Sequence, residues 1–289
     1  MSVPAKDLRG HVALVTGASR GVGKGIALAL GDAGATVYLT GRSVEEGQST
    51  LPGTIGATAA EVDRRGGHGV ALRCDHGDDE QVREVIARIE REQKRLDILV
   101  NNVFAVPDIR MFGKPFWEQP ISLWDTMHAV GLRSHYVATV FAAPIMVRAG
   151  RGLVVNVSSF GGGSYQLNVA YGVGKAAVDR LAKDMARDLR RHDVASVSLW
   201  PGIVLTERIL AAEEVPPWDM TVTESPELTG RAVWALATDP EVMRRTGEVL
   251  VVAELAAEYG FTDVDGSTPA SLRDLVRRSE RAPSPVGAK

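Results

Sequence analysis

With 289 residues, 45% of them hydrophobic, the chain can bury a full core, either as one large domain or as two small ones. A formal net charge of −3 offers no electrostatic case for nucleic acid or an anionic membrane as partner. The single cysteine, Cys74, excludes an internal disulfide framework and a cysteine-rich metal site, and the six histidines lack metal-ligand spacing, so no metal is expected.

The start, "MSVPAKDLRG", has no apolar segment of the secretory kind. The greasiest stretch, "YVATVFAAPIMV", covers about twelve residues, too few to cross a bilayer. These features predict a cytoplasmic protein without membrane attachment.

In chain order, "VALV" at 12–15 reads as a buried strand, followed by a glycine turn and the helix "KGIALALGDAGA". "TVYLT" is the next strand. A Pro/Gly-bearing connection over 43–56 follows, with Thr54 placed to cap a helix. "GVALRC" precedes a helix near 78–93, and "LDILVNN" precedes a long helix over 122–147. "GLVVNVSS" leads to a helix at about 168–190 and then "VASVSLW"; a helix near 227–238 precedes "EVLVV". Short apolar strands alternating with helices predict a single α/β, Rossmann-like domain of three layers, with a mainly parallel, seven-stranded sheet. The expected domain is 1–270, with a flexible tail over 271–289. Within it, 206–230, whose adjacent prolines interrupt any continuous helix, is a candidate substrate lid, because loops at strand C-terminal ends line the ligand crevice in this architecture.

"TGASRGVGKG" follows the first strand directly. Gly17, Gly21 and Gly23 permit a tight turn and close backbone approach, and the helix that follows offers its N–H groups to a pyrophosphate. Ser19, Arg20 and Val22 complete that predicted binding turn. The second strand ends in "YLTGRS", where Gly41 and Arg42 stand in place of a ribose-binding carboxylate. Arg42, helped by Arg20, can pair with a 2′-phosphate, which favours NADP(H) over NAD(H). Asp75, after the third strand, is expected at the adenine amino group, while Asp78 could cap the next helix. Asn101 is expected at a strand end and the ribose region, and Asn102 is open to a local turn role.

Tyr171 and Lys175 lie one helical turn apart on one face. A neighbouring ammonium should lower the phenol pKa and let Tyr171 exchange a proton with a carbonyl or alcohol oxygen, while Lys175 reaches the ribose. Gly172 and Gly174 inside this helix suggest close backbone packing or a nearby cofactor. Tyr165 offers a second phenol, and Ser158 and Ser159 compete for one role.

Taken together, "TGASRGVG", "NNV", "NVSS", "YGVGK" and "PGIVLTE" resemble the short-chain dehydrogenase/reductase family over nearly all of residues 10–255. The resemblance implies a Rossmann-like domain in a homodimer or homotetramer that acts on a small-molecule carbonyl or alcohol. It also implies a serine that polarises the substrate oxygen, Tyr171 as acid/base and Lys175 on the nicotinamide ribose. Ser159 matches the motif serine in "NVSS", whereas counting back without a gap selects Ser158. Tyr165 then falls to the pocket wall. Ile203 and Thr206, in "PGIVLTE", are implied at the nicotinamide carboxamide, Thr206 alternatively at the phosphates.

One departure stands out. The family's asparagine that supports the lysine and a relay water aligns with Gly131, leaving His128, His135 or a backbone-bridging water as substitutes. Segments such as "FWEQPISLWD" and "YGFTDVDG" resemble a narrower group of NADPH-dependent reductases within the family, of which an animal member carries a longer, more apolar C-terminal region. Trp117, Tyr165, Trp200 and Trp218 are candidate apolar substrate surface. The acidic lid, with Glu207, Glu213 and Glu214, disfavours a strongly anionic substrate. A nucleotide-binding scaffold with little turnover, or a dehydratase/epimerase of the same fold, remains the alternative reading.

Overall fold

The computed structural model describes residues 7–105, 114–211 and 222–273. The lid residues Glu213, Glu214 and Trp218, its proline pair and most of the expected tail lie outside these.

Period-two alternation puts the core on both sides of a sheet. In β1 (Val12–Val15), Ala13 and Val15 face one apolar layer while Val12 and Leu14 face the other. Such two-sided burial requires helices above and below. The first layer is closed by α1 (Gly21–Asp32), α8 (Pro226–Ala237) and α9 (Val252–Tyr259). The second is closed mainly by α3 (Asp79–Gln93) and α5 (Ser134–Ala149). Between them β2 (Thr36–Gly41), β3 (His68–Arg73), β4 (Ile98–Asn101), β5 (Gly152–Val157), β6 (Val194–Trp200) and β9 (Val249–Val251) join β1. The order is β3-β2-β1-β4-β5-β6-β9, with every pair parallel. The expected seven-stranded Rossmann-like sheet is therefore present. The order reverses beside β1, and the crevice at such a reversal, beyond the strands' C-terminal ends, is where this architecture binds ligands.

Local chemistry fixes the helix starts. Thr54 Oγ1 accepts from the Ala57 N–H at the head of α2 (Ile55–Arg64), as its position implied. Asp78 caps α3 by accepting from Glu80 and Gln81, and Asn168 caps α6 (Val169–Leu189) by accepting from Tyr171 N–H.

The long helix expected over 122–147 is two helices. α4 (Ile121–His128) and α5 are joined by a π-helical turn, Ala129–Arg133, where Val130 and Gly131 (φ 153°) leave helical geometry. The whole run Ile121–Ala149 spans 29 residues and contains an 18-residue stretch of mean hydropathy 1.3, so by length and composition alone it could cross a membrane, where the twelve-residue apolar stretch read from the sequence is too short. Half of its apolar window is buried, with Val137, Ala142 and Met146 packed in the second layer. Beyond the sheet, β7 (Ile203–Val204) and β8 (Thr223–Glu224) form a short parallel pair that brackets α7 (Glu207–Leu210).

Candidate active site

The crevice at the head of β1 is built from backbone. Gly17 takes φ +70° and Gly21 φ +56°. A Cβ on Gly23 would lie 2.3 Å from Gly17 O and 2.4 Å from Asn102 Nδ2, so only glycine allows the helix to start this close to the turn. Asn102 secures the turn by donating to Thr16 O (2.9 Å) and Gly17 O (3.0 Å), the local role left open for it. The N–H of Gly21, at the first turn of α1, donates to Glu207 Oε2 at 2.8 Å. A carboxylate from α7 thus rests on the helix N-terminus, which is the chemistry a dinucleotide pyrophosphate requires there. The residues present fit such a cofactor. Thr206, the residue immediately before α7, lies against Gly21, its Cγ2 being 3.3 Å from where a Cβ would stand.

Arg20 Nε donates to Pro52 O, and its terminal nitrogen donates to Ser43 Oγ and to the carbonyls of Leu51 and Gly53. This guanidinium ties the 43–54 connection to the first turn instead of standing free for phosphate. Arg42 is 70% exposed at the end of β2, with Asp75 Oδ2 at 3.9 Å. Asp75 also turns its Oδ1 onto Gly77 N–H (2.9 Å). Ser19 is buried, and Val22 is half-buried against the first core layer. Ile203 packs with Phe160 and Trp200.

Asn101 is fully buried, donating to Thr139 Oγ1 (2.9 Å) and to Asn156 Oδ1 (3.0 Å). That holds the ends of β4 and β5 together beneath α5, and it corrects the expectation of a side chain directed at the ribose. Buried amides bond to each other here because an unpaired one would carry its full desolvation cost.

The catalytic corner is built from side chains. Tyr171 OH donates to Ser159 Oγ at 2.8 Å, and Ser159 Oγ also accepts from Gly161 N–H. Ser158 is buried and points the other way, its hydroxyl donating to Lys175 O at 3.1 Å. The two neighbours thus part to opposite sides of the chain, and Ser159 is the one beside the phenol. Lys175 is buried, and its Nζ donates to Val157 O at 3.3 Å. Burial pulls this ammonium down to about 8, with Asp179 opposing the shift.

Burial pushes the Tyr171 phenol up, against a smaller downward pull from Ser159. The expected lowering by the ammonium is outweighed, since Lys175 Nζ lies 5.8 Å from the phenol ring centroid in an apolar corner.

Neither histidine stands in for the missing asparagine. His128 turns Nε2 to Ala170 O and packs edge-on to Trp124 (4.0 Å) and against Gly174, so the close packing expected at that glycine is real. His135 bonds through Nε2 to Val103 O, and burial lowers it to about 3, so it is a neutral core residue. Of the candidate aromatic wall, Tyr165 and Trp117 are 75% and 73% exposed, while Trp200 donates its indole N–H to Asp179 Oδ1 (2.9 Å).

Asp179 is the residue that the motifs did not disclose. It also accepts from Ser198 Oγ (2.5 Å), and burial raises its pKa. Its signal was present as a carboxylate one turn beyond Lys175 on the inward side of α6. Among the described residues no group of histidine, cysteine or carboxylate side chains could hold a metal.

A glycine turn at β1, a parallel seven-stranded sheet and a Ser–Tyr–Lys corner at the far side of one crevice define an α/β dehydrogenase. The chain belongs to the short-chain dehydrogenase/reductase family of NAD(P)(H)-dependent oxidoreductases; the family model described as "short chain dehydrogenase" matches residues 11–214. Among relatives, dehydrogenase/reductase SDR family member 1 of Mus musculus is 48% identical over 273 residues, covering 90% of this chain and 85% of that protein. The Homo sapiens protein of that name is 46% identical, covering 91% and 86%. A metagenomic short-chain oxidoreductase, solved in complex with NADP, is 31% identical with TM-score 0.68, covering 84% of this chain and 97% of its own.

Proposed function

We propose that the protein transfers hydride reversibly between NADP(H) and an apolar carbonyl/alcohol pair. The observation that carries this is the 2.8 Å contact of Tyr171 OH with Ser159 Oγ, with Lys175 one turn below. Ser159 holds the substrate oxygen by hydrogen bonding. Tyr171 delivers the proton to that oxygen in reduction and removes it in oxidation. Lys175 orients the nicotinamide ribose and supplies positive charge beneath the phenol. The bound dinucleotide supplies the hydride. Gly17, Gly21 and Gly23 allow its pyrophosphate onto α1, and Thr206 and Ile203 border it from the opposite wall.

The phosphorylated cofactor is favoured by Arg42 at the tip of β2, where no carboxylate stands. Its long, exposed contact with Asp75 contributes little and leaves the guanidinium available to a 2′-phosphate. The metagenomic relative solved with NADP agrees with this choice. Segment 206–230 acts as the substrate lid. A cytoplasmic homodimer or homotetramer is consistent with exposed Tyr136 and Val140, one turn apart on α5, as an apolar contact strip.

The test is a screen of aldehydes, ketones, quinones and keto-steroids with NADPH and NADH in parallel. NADPH-dependent turnover, reduced about a thousandfold or more in Tyr171→Phe, is the expected result. Undiminished turnover in Tyr171→Phe removes the proton-transfer role, and NADPH binding without consumption across the whole panel indicates a scaffold.

A further inference from the structure

The polar residue expected to support Lys175 is missing, and its position is occupied by an aromatic ring. A Cβ on Gly131 would lie 2.6 Å from Phe104 Cδ2 and 3.0 Å from Phe104 Cε2, so any side chain here would collide with the ring. Phe104 in turn presents its face to Lys175, with Nζ 4.9 Å from the ring centroid, and its ring meets Tyr171 edge to face at 6.0 Å.

The loop bearing Phe104 is fastened to the kinked helix on both sides. The kink turns Val130 O toward the Ala105 N–H, which donates to it at 2.8 Å, and His135 Nε2 bonds Val103 O at 3.1 Å. Phe104 sits between these two clamps. The kink, the glycine and the ring therefore form one device.

We propose that Phe104 is a positioning residue for Lys175, holding its ammonium by a cation–π contact, and that Gly131 is the notch that admits the ring. Nζ has three N–H donors and, among the described residues, one long hydrogen bond, to Val157 O. An ammonium enclosed this way gains from an aromatic face, which attracts charge without needing hydration. The groups with electrostatic influence on it are Tyr171 and Asp179 on α6 and His135 on α5, with His128 of α4 packed on Gly174 nearby. None of these is a fixed anion beside Nζ except Asp179, which is engaged with Ser198 and Trp200. The catalytic meaning of the device rests on the proposed hydride transfer; the contact itself does not.

The test is an NMR titration of lysine-¹³Cε-labelled protein without added nucleotide, with Lys175→Met identifying the signal. In the wild type, the Lys175 Cε protons are shifted upfield by the ring; ordinary lysine shifts overturn the proposal. Phe104→Leu, equally apolar but without a face, lowers the Lys175 midpoint by about one pH unit. Gly131→Ala, which displaces the ring, moves it in the same direction, and Phe104→Tyr keeps the wild-type value. An unmoved midpoint in Phe104→Leu, or an equal fall in Phe104→Tyr, overturns the proposal. At pH 8, kcat of Phe104→Leu falls about fivefold with substrate KM within about twofold, and the loss narrows at pH 6 where the ammonium is restored. If the wild type reduces no carbonyl while the titrations behave as stated, the proposed function fails and the positioning role stands.

Discussion

The two ends of the crevice are made from different material. At the β1–α1 turn the working groups are backbone N–H donors, shaped by glycines close together in sequence and by Asn102. At the catalytic corner they are the side chains of Ser159, Tyr171 and Lys175, enclosed by Phe104, Leu123, Met127 and Ala170. A backbone site gains its electrostatics from helix geometry at little desolvation cost. A side-chain site in an apolar corner must carry a buried ammonium, and the fold bears that cost. The comparison teaches where stability is given up for chemistry: at the corner, not at the turn.

The largest expected effect tests that cost directly. Lys175 is depressed in the folded protein to about 8 from its ordinary 10.5. The unfolded chain binds more protons between those values, so stability rises with pH across that window and is lowest below it. Lys175→Met should remove this dependence and stabilise the protein near pH 7 by about 3 kcal/mol relative to its effect above pH 10.5. Urea unfolding of both proteins at pH 7 and at the highest pH they tolerate measures it. A parallel pH dependence in the two would place the cost elsewhere.

At the opposite end, Gly23→Ala should cost stability and cofactor binding together. Its Cβ meets the Gly17 carbonyl oxygen of the first turn and the Asn102 side-chain nitrogen that secures it, and neither can retreat without opening that turn. A loss of about 2 kcal/mol in unfolding free energy is expected, with a weaker NADPH Kd. A destabilised protein that binds NADPH normally would show that the turn does not shape the cofactor site.

The same contrast decides what could be read from the sequence. The sheet and the glycine turn were legible because their cause is local: period-two strands, a strand–turn–helix junction and caps such as Thr54 and Asp78. The Tyr171–Lys175 spacing was legible for the same reason, as one turn of one helix. The choice of Ser159 over Ser158 depended on which way each side chain leaves the strand. Phe104 and Gly131 lie on different elements, and only folding shows that one fills the space the other leaves. Arg20 looked like a phosphate ligand because its partners, the carbonyls of 51–53, belong to an irregular connection with no pattern to read. Asn101 was legible as a strand-end residue, but its burial against Asn156 and Thr139 was not, because those partners lie on other elements.

A smaller effect separates the two arginines at the backbone end. Arg42→Ala should weaken NADPH about tenfold while leaving NADH nearly unchanged, the value of one charge-assisted phosphate contact. Arg20→Ala should instead lower thermal stability, because four hydrogen bonds to the 43–53 connection go with it. Isothermal titration with both nucleotides, together with melting curves, distinguishes them; equal loss of NADPH and NADH in Arg42→Ala would remove the 2′-phosphate argument.

The smallest effect concerns the contact that joins α7 to the turn. Glu207 begins α7 and accepts from the Gly21 N–H, so its carboxylate lies on the donor that a pyrophosphate needs. A second anion at the same helix N-terminus competes for that donor, so a bound pyrophosphate would have to displace the Glu207 carboxylate from Gly21. Glu207→Gln keeps the shape and removes the charge. It should therefore tighten NADPH by about threefold, the worth of one partly exposed charge at a helix end. Unchanged or weaker binding in Glu207→Gln would show that the carboxylate does not compete. A tighter Kd accompanied by faster proteolysis in 206–230 would show that the same contact holds the lid against the turn.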